Sequence, residues 1–267
     1  MTNVLPVAIV TGASRGIGKS IVNRLSREGI SCIAIASSKK SIEGIKLDDP
    51  LMLIHEKQRH RSLAIDLSQW PQWTASEKHF GIDYHENKSG YFPLYDMWKD
   101  SDTIYQPTLL VNCAGITQQS LSVRTDVDTI TKLMNVNFMS SVSLTNMTLK
   151  QMIKNRKRTR ADTRTNRPCI INICSVLATS DLTVPGTSVY AASKAALSQY
   201  TKVVAQEVNP CNIAIVSISP GLVPATDMLK GLECDGQSHL QKLASTFGTC
   251  TPEQIASQVW DIYNSTE

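Results

Sequence analysis

Val7-Ala8-Ile9-Val10-Thr11-Gly12-Ala13-Ser14-Arg15-Gly16-Ile17-Gly18 is the stretch that decides the fold. Four apolar residues in a row read as a short strand buried on both faces. A glycine-rich turn follows at once, and a helical pattern then runs through Ile21, Val22 and Leu25 to Glu28-Gly29. Strand, glycine turn and helix in that order are the context in which a glycine motif carries information. Gly12 allows the tight turn, Gly16 lets a pyrophosphate approach the backbone, and Gly18 permits close helix packing. The unpaired N–H groups that open the helix face an anion. The stretch therefore predicts a dinucleotide site built on Gly12, Ser14, Arg15, Gly16, Ile17 and Gly18.

Further strands are predicted at Ile30–Ala36, Ser62–Ile65, Thr108–Val111, Cys169–Cys174 and Ile213–Ile218, with helical patterns between several of them. Strands alternating with helices imply an α/β fold: a doubly wound parallel sheet, with the ligand at the carboxyl ends of the strands. A length of 267 residues suits a single domain spanning 1–267. Residues just past the strand ends are then cofactor candidates. These are Ser37, Ser38 and Lys39; Asp66 and Leu67; Asn112, Ala114 and Gly115; and Pro220, Gly221 and Val223, with Thr226 adding a hydroxyl. After the second strand, a carboxylate would bind the ribose 2′-hydroxyl of NAD. The sequence instead has Ser37-Ser38-Lys39-Lys40, with Arg15 in the glycine loop. Cations without a carboxylate favour a 2′-phosphate, hence NADPH.

Ser175 ends the fifth strand, and Tyr190-Ala191-Ala192-Ser193-Lys194 opens a long helical stretch. Tyr190 and Lys194 are one turn apart on one helix face. An ammonium there is expected to lower the tyrosine pKa from its reference of about 10. A phenol so tuned exchanges a proton with a substrate oxygen near neutral pH. On the preceding helix, Ile130, Leu133 and Met134 share a face with Asn137, where an apolar residue is expected. A buried amide needs partners, so Asn137 is expected to hold a water or a backbone carbonyl near the site.

Two stretches break the pattern. Residues 69–106 are rich in aromatic and turn residues without a clean period, and read as an insertion over a sheet edge. A second insertion is placed at about 154–167, within a basic run from Lys150 to Arg167 that contains one acidic residue, Asp162. Its ordinary meaning is a solvated loop; its functional meaning is docking of an acidic partner. Without interleaved aromatics, and with a net charge of only +4, nucleic acid is not expected as a partner. Asp227–Leu243 reads as a helical lid over the substrate. Thr251-Pro252-Glu253 starts the last helix with a cap and an N1 proline.

With 42% hydrophobic and 19% charged residues, a substantial core is possible and global disorder is not expected. The seven cysteines form no CxxC pair or zinc spacing and read as buried free thiols. His79 and His85 lack a partner cluster, so no metal site is expected. No apolar run spans a membrane, and the N-terminus shows neither a signal peptide nor an Arg-rich presequence.

Thr11-Gly12-x-x-x-Gly16-x-Gly18, Asn112-x-Ala114-Gly115, Ser175, Tyr190-x-x-x-Lys194 and Pro220-Gly221 together resemble the short-chain dehydrogenase/reductase family, from about Val7 to Thr226. Leu121–Thr125, Asn135–Met139 and Val184–Tyr190 are similar to the fungal mitochondrial 3-oxoacyl-(acyl-carrier-protein) reductases. The resemblance implies a catalytic set of Asn137, Ser175, Tyr190 and Lys194, the last two also touching cofactor. It further implies NADPH-dependent reduction of a 3-oxoacyl thioester in fatty-acid synthesis, acyl carrier protein as partner, a homo-oligomer and a mitochondrial setting. The chain departs from the family in two extra residues between Ser175 and Tyr190 and in lacking the C-terminal strand after the last helix, which bears on the usual tetramer. Two other readings stay open: a reductase of steroids, quinones or free carbonyl compounds, and a non-catalytic cofactor-binding subunit of a heteromer.

Overall fold

β1 (Asn3–Thr11) lies at the middle of the sheet, where its unbroken apolar run is covered on both faces. The computed structural model describes residues 3–48, 51–72, 98, 102–118, 120–158, 167–224 and 244–265. To one side of β1 lie β2 (Ser31–Ala36) and β3 (His60–Ala64); to the other lie β4 (Thr103–Asn112), β5 (Cys169–Ile173) and β6 (Ala214–Ile218). The order is β3-β2-β1-β4-β5-β6, with every neighbouring pair parallel. This is the expected doubly wound sheet. The chain first winds outward from β1 to β3, then returns to β4 and winds the other way. The connections that leave the carboxyl ends of β1 and β4 therefore diverge and leave a crevice between them.

The helices are α1 (Gly16–Arg27), α2 (Lys39–Asp48), α3 (Val127–Met134), α4 (Ser140–Arg158), α5 (Ser188–Val208) and α6 (Pro252–Asn264). Strand alternation divides the core. Val7, Ile9, Ile33, Ile35, Leu110 and Ile170 pack on one face with Leu144 and Met152 of α4 and Val204 of α5. Ala8, Val10, Ala34, Leu109 and Ile171 pack on the other with Ile21 and Leu25 of α1 and Val259 and Tyr263 of α6. Helix α6 starts as its sequence predicts: Thr251 and Gln254 form a reciprocal capping box, with Pro252 at the first helical position.

Three boundaries differ from the sequence reading. β1 begins before Val7, because Asn3–Pro6 pair with Thr103–Gln106. The end of the expected 69–106 insertion is thus the start of β4. Pro6 and Pro107 lie inside these strands and break the apolar alternation, which is why neither run reads as strand. The register slips between Val7 and Ala8, leaving Thr108 as an extra residue in β4. Its hydroxyl meets that of Tyr263 at 2.6 Å, tying the bulge to α6. The second expected insertion also starts later, since α4 continues to Arg158. Most of 69–106, residues 159–166 and the expected lid lie outside the described residues. Among the described residues no helix is long and apolar enough to cross a membrane, and the six cysteines are free.

The carboxyl ends of β1 and β4 are joined by one side chain. Thr11 Oγ1 accepts from the backbone N–H groups of Cys113 and Ala114, each at 3.0 Å. Replacing it with the isosteric Thr11→Val leaves both donors without that acceptor. The expected loss of stability is about 1–3 kcal/mol, read by urea unfolding. A change below about 0.5 kcal/mol would show that the two N–H groups are satisfied in another way.

Candidate active site

A cleft of about 750 Å³ opens over the carboxyl ends of the strands. Its wall contains Gly12, Ser14, Arg15, Gly16, Ile17, Gly18, Ser37, Asp66, Leu67, Ala114, Gly115, Ser175, Tyr190, Lys194, Pro220, Gly221 and Val223. These are most of the residues that the sequence singles out, brought together from both halves of the sheet. Thr226 lies outside the described residues. Ser38, Lys39, Asn112 and Asn137 are not in the wall.

The glycine turn is shaped by two close approaches. Gly12 has φ +66°, and a Cβ there would lie 2.8 Å from Ala114 Cα. A Cβ on Gly18 would lie 2.2 Å from the Gly12 carbonyl oxygen, so α1 packs directly onto the turn. The first turn of α1 thereby points its N–H groups into the cleft, an arrangement that suits a phosphate.

Next to it, Ser37–Lys40 are exposed at the rim. Ser38 is occupied as the cap of α2, its Oγ accepting from Ser41 N–H at 3.2 Å. Asp66 caps the short turn Leu67–Gln69, its Oδ1 accepting from the N–H and hydroxyl of Ser68 at 3.0 and 2.7 Å. That turn is pinned from behind by Asn135, whose Nδ2 donates to Ser68 O at 2.8 Å and Trp70 O at 3.2 Å.

Asn112 is a correction. Its Nδ2 donates to Asn172 Oδ1 at 2.8 Å and Thr145 Oγ1 at 3.2 Å, and Asn172 donates onward to Thr201 Oγ1 at 2.8 Å. The side chain therefore faces the helix layer and links β4, β5, α4 and α5 rather than reaching the cleft. Residue alternation along β4 turns it away, on the face opposite Val111.

The other end of the cleft carries the ionisable groups. Between α3 and α4 the chain makes a wider π-helical turn, Asn135–Met139. It buries Asn135, Val136 and Asn137 in succession. Asn137 lies behind the wall, with every polar atom of its amide engaged. Its Oδ1 accepts from Ile116 N–H at 2.9 Å, and its Nδ2 donates to Ile116 O at 2.9 Å and Ser193 Oγ at 3.0 Å. Of the two partners expected for it, the structure shows the backbone carbonyl. A side chain at Gly115 would begin 3.5 Å from Lys194 Nζ and 3.6 Å from Asn137 Oδ1, so these three residues share one corner. Lys194 is buried, and its Nζ donates to Ile173 O at 2.8 Å. Ser175 starts the short turn Val176–Ala178, its Oγ accepting from Leu177 N–H at 3.2 Å, and its hydroxyl lies close enough to Tyr190 to pull the phenol's pKa downward.

The electrostatics differ from expectation. Tyr190 is shifted above its ordinary pKa, not below it. Burial is the largest cause, the Ser175 hydrogen bond pulls downward, and Cys174 pushes upward. Lys194 is shifted down, also by burial, with Cys174 and Cys113 opposing. Helical spacing places phenol and amine on one face, but desolvation of both charged forms outweighs that proximity.

Several wall or support residues escaped sequence reading. Lys132 of α3 lines the cleft four residues before Val136. Helical spacing could have found it, had Val136 been recognised as a wall residue. Asn135 and Gln118 give no periodic signal, because each acts across the fold. Among the described residues no group of three metal-ligating side chains occurs.

The comparisons agree with this geometry. Residues 6–76 and 105–236 match the family model described as short chain dehydrogenase. The chain is 32% identical over 226 residues to the 3-oxoacyl-(acyl-carrier-protein) reductase FabG of Pseudomonas aeruginosa, covering 85% of this chain and 76% of that protein. It is 28% identical over 254 residues to the carbonyl reductase family member 4 of Xenopus tropicalis, covering 95% and 89%. Among solved structures, 4-hydroxyisoleucine dehydrogenase complexed with NADH superposes with a TM-score of 0.69 at 22% identity, covering 96% of this chain and 90% of that one. Glycine turn, strand order and family model lead to the same place: the chain belongs to the short-chain dehydrogenase family.

Proposed function

We propose that the protein is an NADPH-dependent reductase of 3-oxoacyl thioesters carried on acyl carrier protein. The observation that carries this reading is the placement of Ser175, Tyr190 and Lys194 in the wall of one cleft whose far end is the Gly12–Gly18 cradle. The cradle fits a dinucleotide: side chains at Gly12 and Gly18 would collide with backbone, and the first residues of α1, Gly16–Gly18, line the cleft. Arg15 and Lys39, with no carboxylate among residues 37–40, favour the 2′-phosphate of NADPH over the bare ribose of NADH. When bound, the cofactor supplies the hydride.

The chain's own groups act on the substrate oxygen. Ser175 donates a hydrogen bond to the C3 carbonyl, and Tyr190 gives its proton to that oxygen as negative charge develops there. Lys194 binds the ribose hydroxyls while Ile173 O holds its ammonium in place. Asn137 fixes Ile116 and, through Ser193, the first turn of α5. The similarity to the Pseudomonas reductase supports the thioester substrate. Lys150 and Lys154 of α4 begin the basic run that would meet an acidic carrier. The Xenopus carbonyl reductase favours a second reading, reduction of free carbonyl compounds.

Steady-state assay of the protein with NADPH and acetoacetyl groups on carrier protein, on coenzyme A and as free ketone separates the two. The first reading expects carrier-bound substrate to have the highest kcat/KM; preference for the free ketone favours the second. Tyr190→Phe is expected to lower kcat about 10²- to 10⁴-fold with NADPH binding retained, and wild-type turnover would remove Tyr190 from the chemistry.

The pH dependence follows from the direction of the Tyr190 shift. Reduction needs the protonated phenol, and a raised pKa keeps it protonated through neutrality. The reductive rate should therefore hold across neutral pH and fall only on the alkaline side. Ser175→Ala removes the bond that lowers this pKa, so the alkaline limb should move to still higher pH. Arg15→Ala and Lys39→Ala should each weaken NADPH binding about tenfold while leaving NADH binding unchanged. Equal losses for both nucleotides would refute the 2′-phosphate assignment.

A further inference from the structure

The helix bearing Tyr190 lacks a local cap. Thr187 precedes α5 but accepts no side-chain hydrogen bond from it, and its hydroxyl donates instead to Val184 O at 2.7 Å. The early N–H groups of a helix have no partner within it. For α5 one of these is met from a distant part of the chain: Val189 N–H donates to Gln118 Oε1 at 2.7 Å. Gln118 is buried, with 1% of its surface exposed. The same amide's Nε2 donates to Ser120 O at 2.7 Å, Thr125 Oγ1 at 2.9 Å and, at greater length, Ser188 Oγ at 3.4 Å. Thr125 closes its own turn by donating to Leu121 O at 3.0 Å.

We propose that Gln118 is a positioning residue for Tyr190, clamping the cleft-wall residues 116–118 to the first turn of α5. The inference rests on the reductase reading above and adds to it a group outside the Asn137, Ser175, Tyr190 and Lys194 set. The segment is held at two points. Asn137 grips both the N–H and the carbonyl of Ile116. Gln118 grips Val189, the neighbour of Tyr190. Ile116, Thr117 and Gln118 all line the cleft, so this clamp sets how far the substrate wall stands from the phenol. A primary amide suits the position because one atom must accept from Val189 while the other donates to Ser120 O and Thr125 Oγ1. A carboxylate keeps only the acceptor, and it puts a negative charge beside the turn that carries Tyr190.

The test compares Gln118→Ala and Gln118→Glu with the wild type in acetoacetyl-carrier kinetics, NADPH titration and amide hydrogen exchange. In Gln118→Ala, kcat is expected to fall about 10- to 100-fold, the scale of a misplacement of about 1 Å. KM and the NADPH dissociation constant should stay within about twofold, and Val189 exchange should quicken by about tenfold. In Gln118→Glu, Val189 should stay protected, while the alkaline limb of kcat moves up because a nearby anion disfavours the phenolate. A role in stability alone would not lower kcat at constant NADPH affinity. Unchanged kcat or unchanged Val189 exchange in Gln118→Ala overturns the proposal, as does a parallel loss of kcat, NADPH affinity and melting temperature. Should Gln118→Ala not fold, Gln118→Glu, which loses the donors to Ser120 O and Thr125 Oγ1, decides by its kcat at constant NADPH affinity, and an unchanged kcat is the overturning result. If the wild type reduces no thioester, the reductase reading fails; Val189 exchange then decides the clamp alone.

Discussion

The reversal of winding between β1 and β4 is the constraint on which the rest depends. Connections leaving these two strands go to opposite sides and leave a crevice above their ends. The opening must still be held to a fixed width. Thr11 does so by accepting from two successive N–H groups of the β4 end, at 3.0 Å each. Gly12 then turns the chain against Ala114, and Gly18 seats α1 on the Gly12 carbonyl. The N-terminal end of α1 is placed by contacts too close to admit a side chain.

One irregular turn serves both ends of the cleft. In a regular helix, residues two apart point to different sides. Residues two apart on the π-helical turn Asn135–Met139 do the same, so Asn135 and Asn137, both buried, reach different walls. Asn135 fixes the Leu67–Gln69 turn at one end of the cleft, and Asn137 fixes Ile116 beside Lys194. Disruption of this turn would loosen both walls together.

The proton-bearing groups show what burial does to electrostatics. Tyr190 and Lys194 are both nearly inaccessible, at 7% and 3% exposed, and desolvation disfavours the charged form of each. The phenol is thereby kept as a proton donor, while the amine, less basic than in water, is steadied by the Ile173 carbonyl. Cys174, between β5 and Ser175, acts in opposite senses on the two shifts: it adds to the rise at Tyr190 and resists the fall at Lys194.

Much of this was legible in the chain itself. Strand runs, the glycine turn, the cap of α6 and the Tyr190–Lys194 spacing are local patterns, and backbone periodicity alone dictates them. They suffice for the fold class and for most residues of the cleft wall. Where Pro6 and Pro107 interrupt the alternation, the local signal failed and the β1–β4 pairing was found only in three dimensions. The inward turn of Asn112, the grip of Asn137 on Ile116, the reach of Gln118 to Val189 and the direction of the Tyr190 shift belong to the tertiary structure. Each depends on partners many residues away or on how much water the packed chain excludes, and neither quantity exists until the sheet and its helices have closed on one another.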